Sequence, residues 1–168
     1  MANPRKPLRI NVGFIATEEV GYTHQFPFDF DKIQLGDDLE LRGFNGGVQI
    51  TRTPQGLLAQ GDFSGEAELE CVRCLTRFWQ PLHWHFTELY AFTPKSITDS
   101  GLLLPEDAQI DLQPLLREYA LLEIPIKPLC REDCKGLCPV CGENLNEQDC
   151  GHRPTPDDSP FAKLKDLL

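Results

Sequence analysis

From residue 57 to residue 71 the chain alternates with a period of two. Leu57, Ala59, Gly61, Phe63, Gly65, Ala67, Leu69 and Cys71 fall on one side; Gln60, Asp62, Ser64, Glu66, Glu68 and Glu70 fall on the other. Successive side chains of a strand point to opposite faces, so this pattern predicts a strand with one face in a core and one in water. Cys71 belongs to the core side. Just upstream, Val48, Ile50 and Arg52 alternate with Gln49, Thr51 and Thr53, and Thr53-Pro54-Gln55-Gly56 supplies turn residues. A hairpin is expected there.

Downstream, Phe78, Leu82, Trp84, Phe86, Tyr90 and Phe92 share a face opposite Arg77, Trp79, His83, His85 and Thr87. Cys71-Val72-Arg73-Cys74 then lies at the tip of a second hairpin. Further strands are expected near 9–15, 22–30 and 38–44. After a loop-like stretch at 93–107, Leu112, Leu115, Leu116, Tyr119 and Leu122 recur at helical spacing. Asp111 suits the N-cap, because its carboxylate can accept an otherwise unpaired amide of the first turn. Pro125 and Pro128 stop the helix. Its apolar stripe is expected to pack on the sheet. The fold class is therefore mainly β with α: an antiparallel sheet or partial barrel, one packed helix and a C-terminal zinc-knuckle module.

Three regions follow from this organisation. Residues 1–128 form a β-rich core with a helix near 112–123. Residues 129–153 shift to cysteine, glycine and polar residues, with too little apolar mass for a core of their own, so a cross-link must hold them. Residues 154–168 read as a tail, in which 160–168 could form a short helix or fray.

The candidate chemistry lies in the cysteines. The first residues carry no apolar core of a signal peptide, and no apolar run approaches the ~18 residues of a spanning helix. A cytoplasmic location is expected. A reducing compartment disfavours disulfides, and seven cysteines is an odd number for a disulfide framework. Metal binding is the better reading. Structural zinc takes four tetrahedral ligands from thiolate and imidazole. Cys71/Cys74 and Cys138/Cys141 each have the two-residue spacing that turns both sulfurs toward one ion. Adding Cys130, Cys134, Cys150 and His152 makes eight ligands, enough for two zinc ions with none left over.

The favoured pairing joins Cys138, Cys141, Cys150 and His152 locally and leaves Cys71, Cys74, Cys130 and Cys134 for the second ion. The alternative groups Cys130, Cys134, Cys138 and Cys141, leaving Cys71, Cys74, Cys150 and His152. A single site with spare thiols is a third arrangement. No open coordination position is expected at either favoured site, and the chain holds neither a metalloprotease helix motif nor a deaminase pattern. Gly43-Phe44-Asn45-Gly46-Gly47 lacks the Lys-Ser/Thr of a phosphate loop and reads as a turn or bulge. His24 reads as a surface or packing residue, and His83 and His85 as part of a solvated face. No catalytic residue, small-molecule substrate or membrane contact is expected.

Charge refines the choice of partner. The formal net charge is −10. Zinc ligands bind as thiolates, so seven of them add −7 and two dications return +4, giving −13. Such a body repels phosphate at long range and attracts basic proteins. Lys127, Arg131, Lys135 and Arg153 around the cysteine module offer a local basic side for RNA.

With these residues in view, the chain resembles the YceD family, the large ribosomal RNA subunit accumulation proteins. The resemblance rests on Glu70-Cys71-Val72-Arg73-Cys74-Leu75, Ile110-Asp111-Leu112, Arg117-Glu118 and Ile124-Pro125-Ile126. It rests further on Pro128-Leu129-Cys130 and on the run from Asp133-Cys134-Lys135-Gly136-Leu137-Cys138 through Pro139-Val140-Cys141-Gly142-Glu143-Asn144-Leu145-Asn146. It implies a ribosome-biogenesis role in accumulation of the large-subunit (23S) ribosomal RNA. Such proteins commonly close the motif with Cys-x-Cys; this chain has Cys150-Gly151-His152, where imidazole can replace thiolate on zinc. The expected function is a non-catalytic zinc-binding biogenesis factor that binds ribosomal RNA, a basic ribosomal protein, or both. Two rival functions share parts of the pattern. A zinc-ribbon transcription or polymerase-associated module needs a basic binding surface, and a zinc-dependent hydrolase needs a three-ligand site with a bound water.

Overall fold

The computed structural model describes residues 7–152. Its strands are β1 (Arg9–Asn11), β2 (Thr23–Gln34), β3 (Glu40–Arg52), β4 (Gly56–Glu70), β5 (Arg77–Ala91) and β6 (Gln109–Asp111). Two α-helices, α1 (Gly13–Thr17) and α2 (Gln113–Leu122), and a short 3₁₀ turn (Pro94–Ser96) accompany them. The expected α+β class is what the structure has. Strands β2, β3, β4 and β5 form an open antiparallel meander in sequence order, and β1 pairs antiparallel with β6 in a separate two-stranded sheet. The four-stranded sheet does not close into a barrel, since β2 and β5 are its edges.

The alternation along β4 holds. Leu57, Ala59, Gly61, Phe63, Gly65 and Ala67 are buried, Gln60, Asp62, Glu68 and Glu70 are exposed, and Leu69 alone of the inner set is only half-buried. The buried face carries a run of aromatic rings across three strands. Phe44 stacks on Phe63 at 5.3 Å, and Phe63 stacks on Trp84 and on Phe86, each at 6.1 Å. Burying each such ring contributes about 1.5–3 kcal/mol. Helix α2 packs on this sheet as expected. Its Leu115, Leu116 and Ala120 are buried, Tyr119 meets Phe86 at 5.4 Å, and the Tyr119 hydroxyl donates to Glu88 at 2.6 Å.

Four local expectations change. The strand expected at 9–15 stops at Asn11, because the Asn11 side chain accepts the Gly13 amide at 3.0 Å and turns the chain into α1. The two segments at 38–44 and 48–53 are one strand, β3, in which a bulge between Arg42 and Asn45 absorbs the break in alternation. Gly43 and Gly46 take the positive φ this requires, so the glycine stretch is a bulge. Asp111 does accept a first-turn amide, that of Gln113 at 3.1 Å, but it ends β6 and the cap position is Leu112. Leu122 is 74% exposed, and Ala120 takes its place in the buried stripe.

The chain falls into two compact units. One comprises 1–68 and 79–125 and holds the aromatic core. The other comprises, among the described residues, 69–78 and 126–152. The 160–168 helix and Arg153 lie outside the described residues. His24 packs edge-on between Phe14 (5.1 Å) and Phe26 (4.8 Å), and His83 meets Asp62 at 3.2 Å on the solvated face.

Candidate metal centre

The second unit is built around sulfur. The turn 71–76 leaves β4 and returns into β5, and 126–152 carries only isolated turns and one bridge, Leu137 to Asn144. Neither segment has the apolar mass to fold by burial alone. The chain brings them together through cysteine. Cys71, Cys74 and Cys134 are buried in one small cluster, against which Phe78, Leu129, Cys130 and Leu137 pack.

All eight expected ligands are described, and they gather in two groups of four. Cys71, Cys74, Cys130 and Cys134 form one, and Cys138, Cys141, Cys150 and His152 form the other, with the ligand atoms of each within 4.8 Å of one another. This is the favoured pairing of the two read from the sequence. In the first group the Cys71 and Cys134 sulfurs are 3.7 Å apart and those of Cys74 and Cys130 are 3.6 Å apart. A disulfide would need about 2.05 Å. A tetrahedron with zinc–sulfur bonds near 2.3 Å has edges of about 3.8 Å. The donor set therefore fits a tetrahedral thiophilic ion.

The two groups share one turn design. In the first, the Leu75 amide donates to the Cys71 carbonyl at 2.9 Å and the Cys71 amide to the Thr76 carbonyl at 3.0 Å. In the second, the Gly142 amide donates to the Cys138 carbonyl at 2.9 Å and the Cys138 amide to the Glu143 carbonyl at 2.8 Å. Both turns are thus Cys-x-x-Cys knuckles whose fifth residue is left-handed, with φ of 76° at Gly142 and 58° at Leu75. Glycine adopts that conformation freely, whereas a leucine there costs about 1–2 kcal/mol. The first knuckle is held from behind. The Val72 amide donates to Pro128 (3.0 Å), the Leu137 amide to the Arg73 carbonyl (3.1 Å), and the Arg73 guanidinium to the Cys134 carbonyl (2.9 Å).

Electrostatics prepare the sulfurs unequally. Burial opposes charge on Cys71, but backbone amides of Cys130, Cys74 and Arg73 outweigh it and bring the thiol down to about 6. Amides of Cys141 and Val140 bring Cys138 to about 6 as well. Burial, followed by the neighbouring sulfurs of Cys74, Cys134 and Cys71, pushes Cys130 up to about 12. Adjacent thiolates repel one another, and a dication would remove that conflict. The surroundings of the groups also differ. Three of the four sulfurs in the first group are buried; in the second only Cys138 is, while Cys141 and His152 are exposed. His152 Nδ1 lies 3.4 Å from the Cys150 sulfur. Asn146, which the motif includes without a stated role, donates to the Cys134 sulfur at 3.3 Å. No spacing rule marks such a partner in advance.

Comparison with known proteins bears on these same residues. A family model described as large ribosomal RNA subunit accumulation protein YceD matches residues 59–168, more than half of the chain. The chain belongs to the YceD family. A protein of Mycobacterium tuberculosis is 35% identical over 136 residues, covering 78% of this chain and 61% of that protein, so this YceD chain spans about three-fifths of the length of that relative. The Bacillus subtilis protein YlbN is 33% identical over 106 residues, 60% of this chain and 62% of its own. The chloroplastic large ribosomal RNA subunit accumulation protein YCED homolog 1 of Arabidopsis thaliana is 36% identical over 63 residues, 38% of this chain and 20% of its own. No solved structure matches this YceD chain.

Proposed function

We propose that this chain is a non-catalytic zinc-binding factor of ribosome biogenesis that supports accumulation of large-subunit (23S) ribosomal RNA in the cytoplasm. It acts by binding that RNA, a basic large-subunit ribosomal protein, or both. The observation that carries the reading is the pair of complete four-donor sets in a segment with almost no other core. Four donors are the number of a closed structural site, whereas catalytic zinc keeps a position for water. Cys71, Cys74, Cys130 and Cys134 would hold one ion, and Cys138, Cys141, Cys150 and His152 the other. Bound there, zinc supplies cross-links that replace a hydrophobic core. The ribosomal assignment is supported by family membership and by the name that the Arabidopsis relative carries.

Two features support the choice of partners. The solvent face of β4 presents Asp62, Glu66, Glu68 and Glu70, which favours a basic protein. Lys127, Arg131 and Lys135 are exposed in the second unit and suit RNA phosphates. Among the described residues no helix is long and apolar enough to cross a membrane.

Metal analysis of anaerobically purified protein tests the first half, with two zinc ions per chain expected; iron in place of zinc, or one ion, would overturn it. Depletion in cells tests the second half. The 23S RNA level should fall and be restored by the parent chain but not by Cys71→Ser. Capture of neither 23S RNA nor large-subunit proteins would sink the ribosomal reading.

A further inference from the structure

The two knuckles provide an internal comparison. Their hydrogen bonds correspond residue for residue, and the second places glycine where the first places Leu75. Leu75 is 55% exposed and Val72 is 51% exposed. An exposed leucine in a left-handed backbone recovers little by burial, and its strain has no structural return within this unit. The segment behind the knuckle anchors it through Pro128, Leu137 and Cys134, so the two apolar side chains are held outward on a rigid turn. Ile126, two residues before Pro128, is 96% exposed.

Charge distinguishes what such a tip would meet. Residues 1–68 and 79–125 hold eight basic and seventeen acidic side chains, a net −9. Residues 138–152 hold Glu143, Glu147 and Asp149 and no lysine or arginine. The first-knuckle segments, 69–78 and 126–137, hold Arg73, Arg77, Lys127, Arg131 and Lys135 against Glu70, Glu132 and Asp133. Four thiolates and one dication would add −2 and bring these segments to neutral, still far from the acidity of the rest, with the cations at the surface and the sulfurs mostly beneath it. Of these three parts, only the first-knuckle segments carry more basic than acidic side chains, and they do so around exposed apolar groups. A polyanion with apolar faces complements it, and unpaired nucleobases on a phosphate backbone are such a ligand.

We infer that the 71–75 knuckle is a contact surface for single-stranded RNA, in which Val72 and Leu75 pack against unpaired bases while Lys127 and the neighbouring basic side chains meet phosphates. The inference rests on the metal-binding, RNA-directed reading proposed above and names the surface that serves it. Duplex RNA, with its bases stacked inside, offers the apolar side chains no partner.

The left-handed backbone supplies the decisive variant, because glycine suits position 75 better than leucine. Fluorescence anisotropy of a short labelled single-stranded RNA with the full, metal-loaded chain gives the affinity; thermal melting and metal content are read on the same samples. Leu75→Gly should keep two ions and melt at or above the parent temperature while binding RNA about fivefold more weakly. Lys127→Glu should weaken binding and flatten its salt dependence. Leu75→Gly that binds RNA like the parent, or that loses metal or melts lower with RNA affinity unchanged, overturns the inference. So does parent protein whose knuckle captures a basic ribosomal protein and no RNA. In that case the proposed function stands through its protein arm, whereas a metal-free parent chain would overturn both.

Discussion

At the scale of single residues, backbone geometry and charge decide what each position tolerates. Gly46 sits in the β3 bulge with φ of 145°, and a methyl group there would overlap the Asp62 carbonyl oxygen on β4. Backbone of the neighbouring strand cannot yield as a side-chain tip can. Gly46→Ala should therefore destabilise the sheet unit by about 2–4 kcal/mol, measured by urea unfolding. Gly65, where a methyl group would meet its nearest atom at 3.5 Å, should accept alanine within about 0.5 kcal/mol in the same assay. Asp38 offers a charge test. The Arg117 guanidinium donates two hydrogen bonds from Nη2, at 2.8 and 2.9 Å, and holds this carboxyl below the usual carboxylate range. A lowered acid pKa stabilises the folded state above the ordinary value, and that contribution is lost as pH falls through the lowered one. NMR titration of Asp38 should show this depressed midpoint, and Arg117→Gln should raise it toward the usual carboxylate range. An unchanged midpoint would show that the pair does not form in solution.

At the scale of elements, the two knuckles share a fold and differ in shelter. The first group lies in an apolar cluster with Asn146 donating to one of its sulfurs, while the second leaves Cys141 and His152 at the surface. A chelator reaches an exposed ion directly but needs local opening to reach a buried one. Metal transfer to a chromogenic chelator should occur in two phases of one equivalent each, with the fast phase from the second group. Cys150→Ser should remove the fast phase and leave the slow one, whereas a single phase in the parent would show the groups to be equally accessible. The strands tell a parallel story. Alternation identified β4 and β5 because each keeps one buried face in register over most of its length, but the bulge in β3 shifted the period and made one strand look like two.

At the scale of the whole molecule, two kinds of stabilisation coexist in one chain. The sheet unit rests on buried rings and aliphatic side chains; the second unit has only a small cysteine-rich cluster and, in the function proposed above, rests on its metal sites. Removing metal should therefore separate their stabilities, so that unfolding ceases to be a single two-state event. After chelation, limited proteolysis should cut within 126–152 while far-ultraviolet circular dichroism keeps its β signal. Loss of both together would show that the sheet depends on the metal as well.

What could be read directly from the order of amino acids was whatever neighbours in the chain encode: the period-two strands, the amphipathic helix, the hairpin turns, the two Cys-x-x-Cys spacings and the total of eight candidate ligands. Tertiary structure decided the rest, because it depends on where distant segments meet. Cys71 and Cys134 are 63 positions apart, and nothing local chooses Cys134 over Cys150 as its companion. The conversion of the first strand into α1 and the outward turn of Leu122 likewise follow from packing that propensity does not contain. Only the folded backbone shows Leu75 in a glycine conformation, since one residue's φ is set by the hydrogen-bonded turn that carries it.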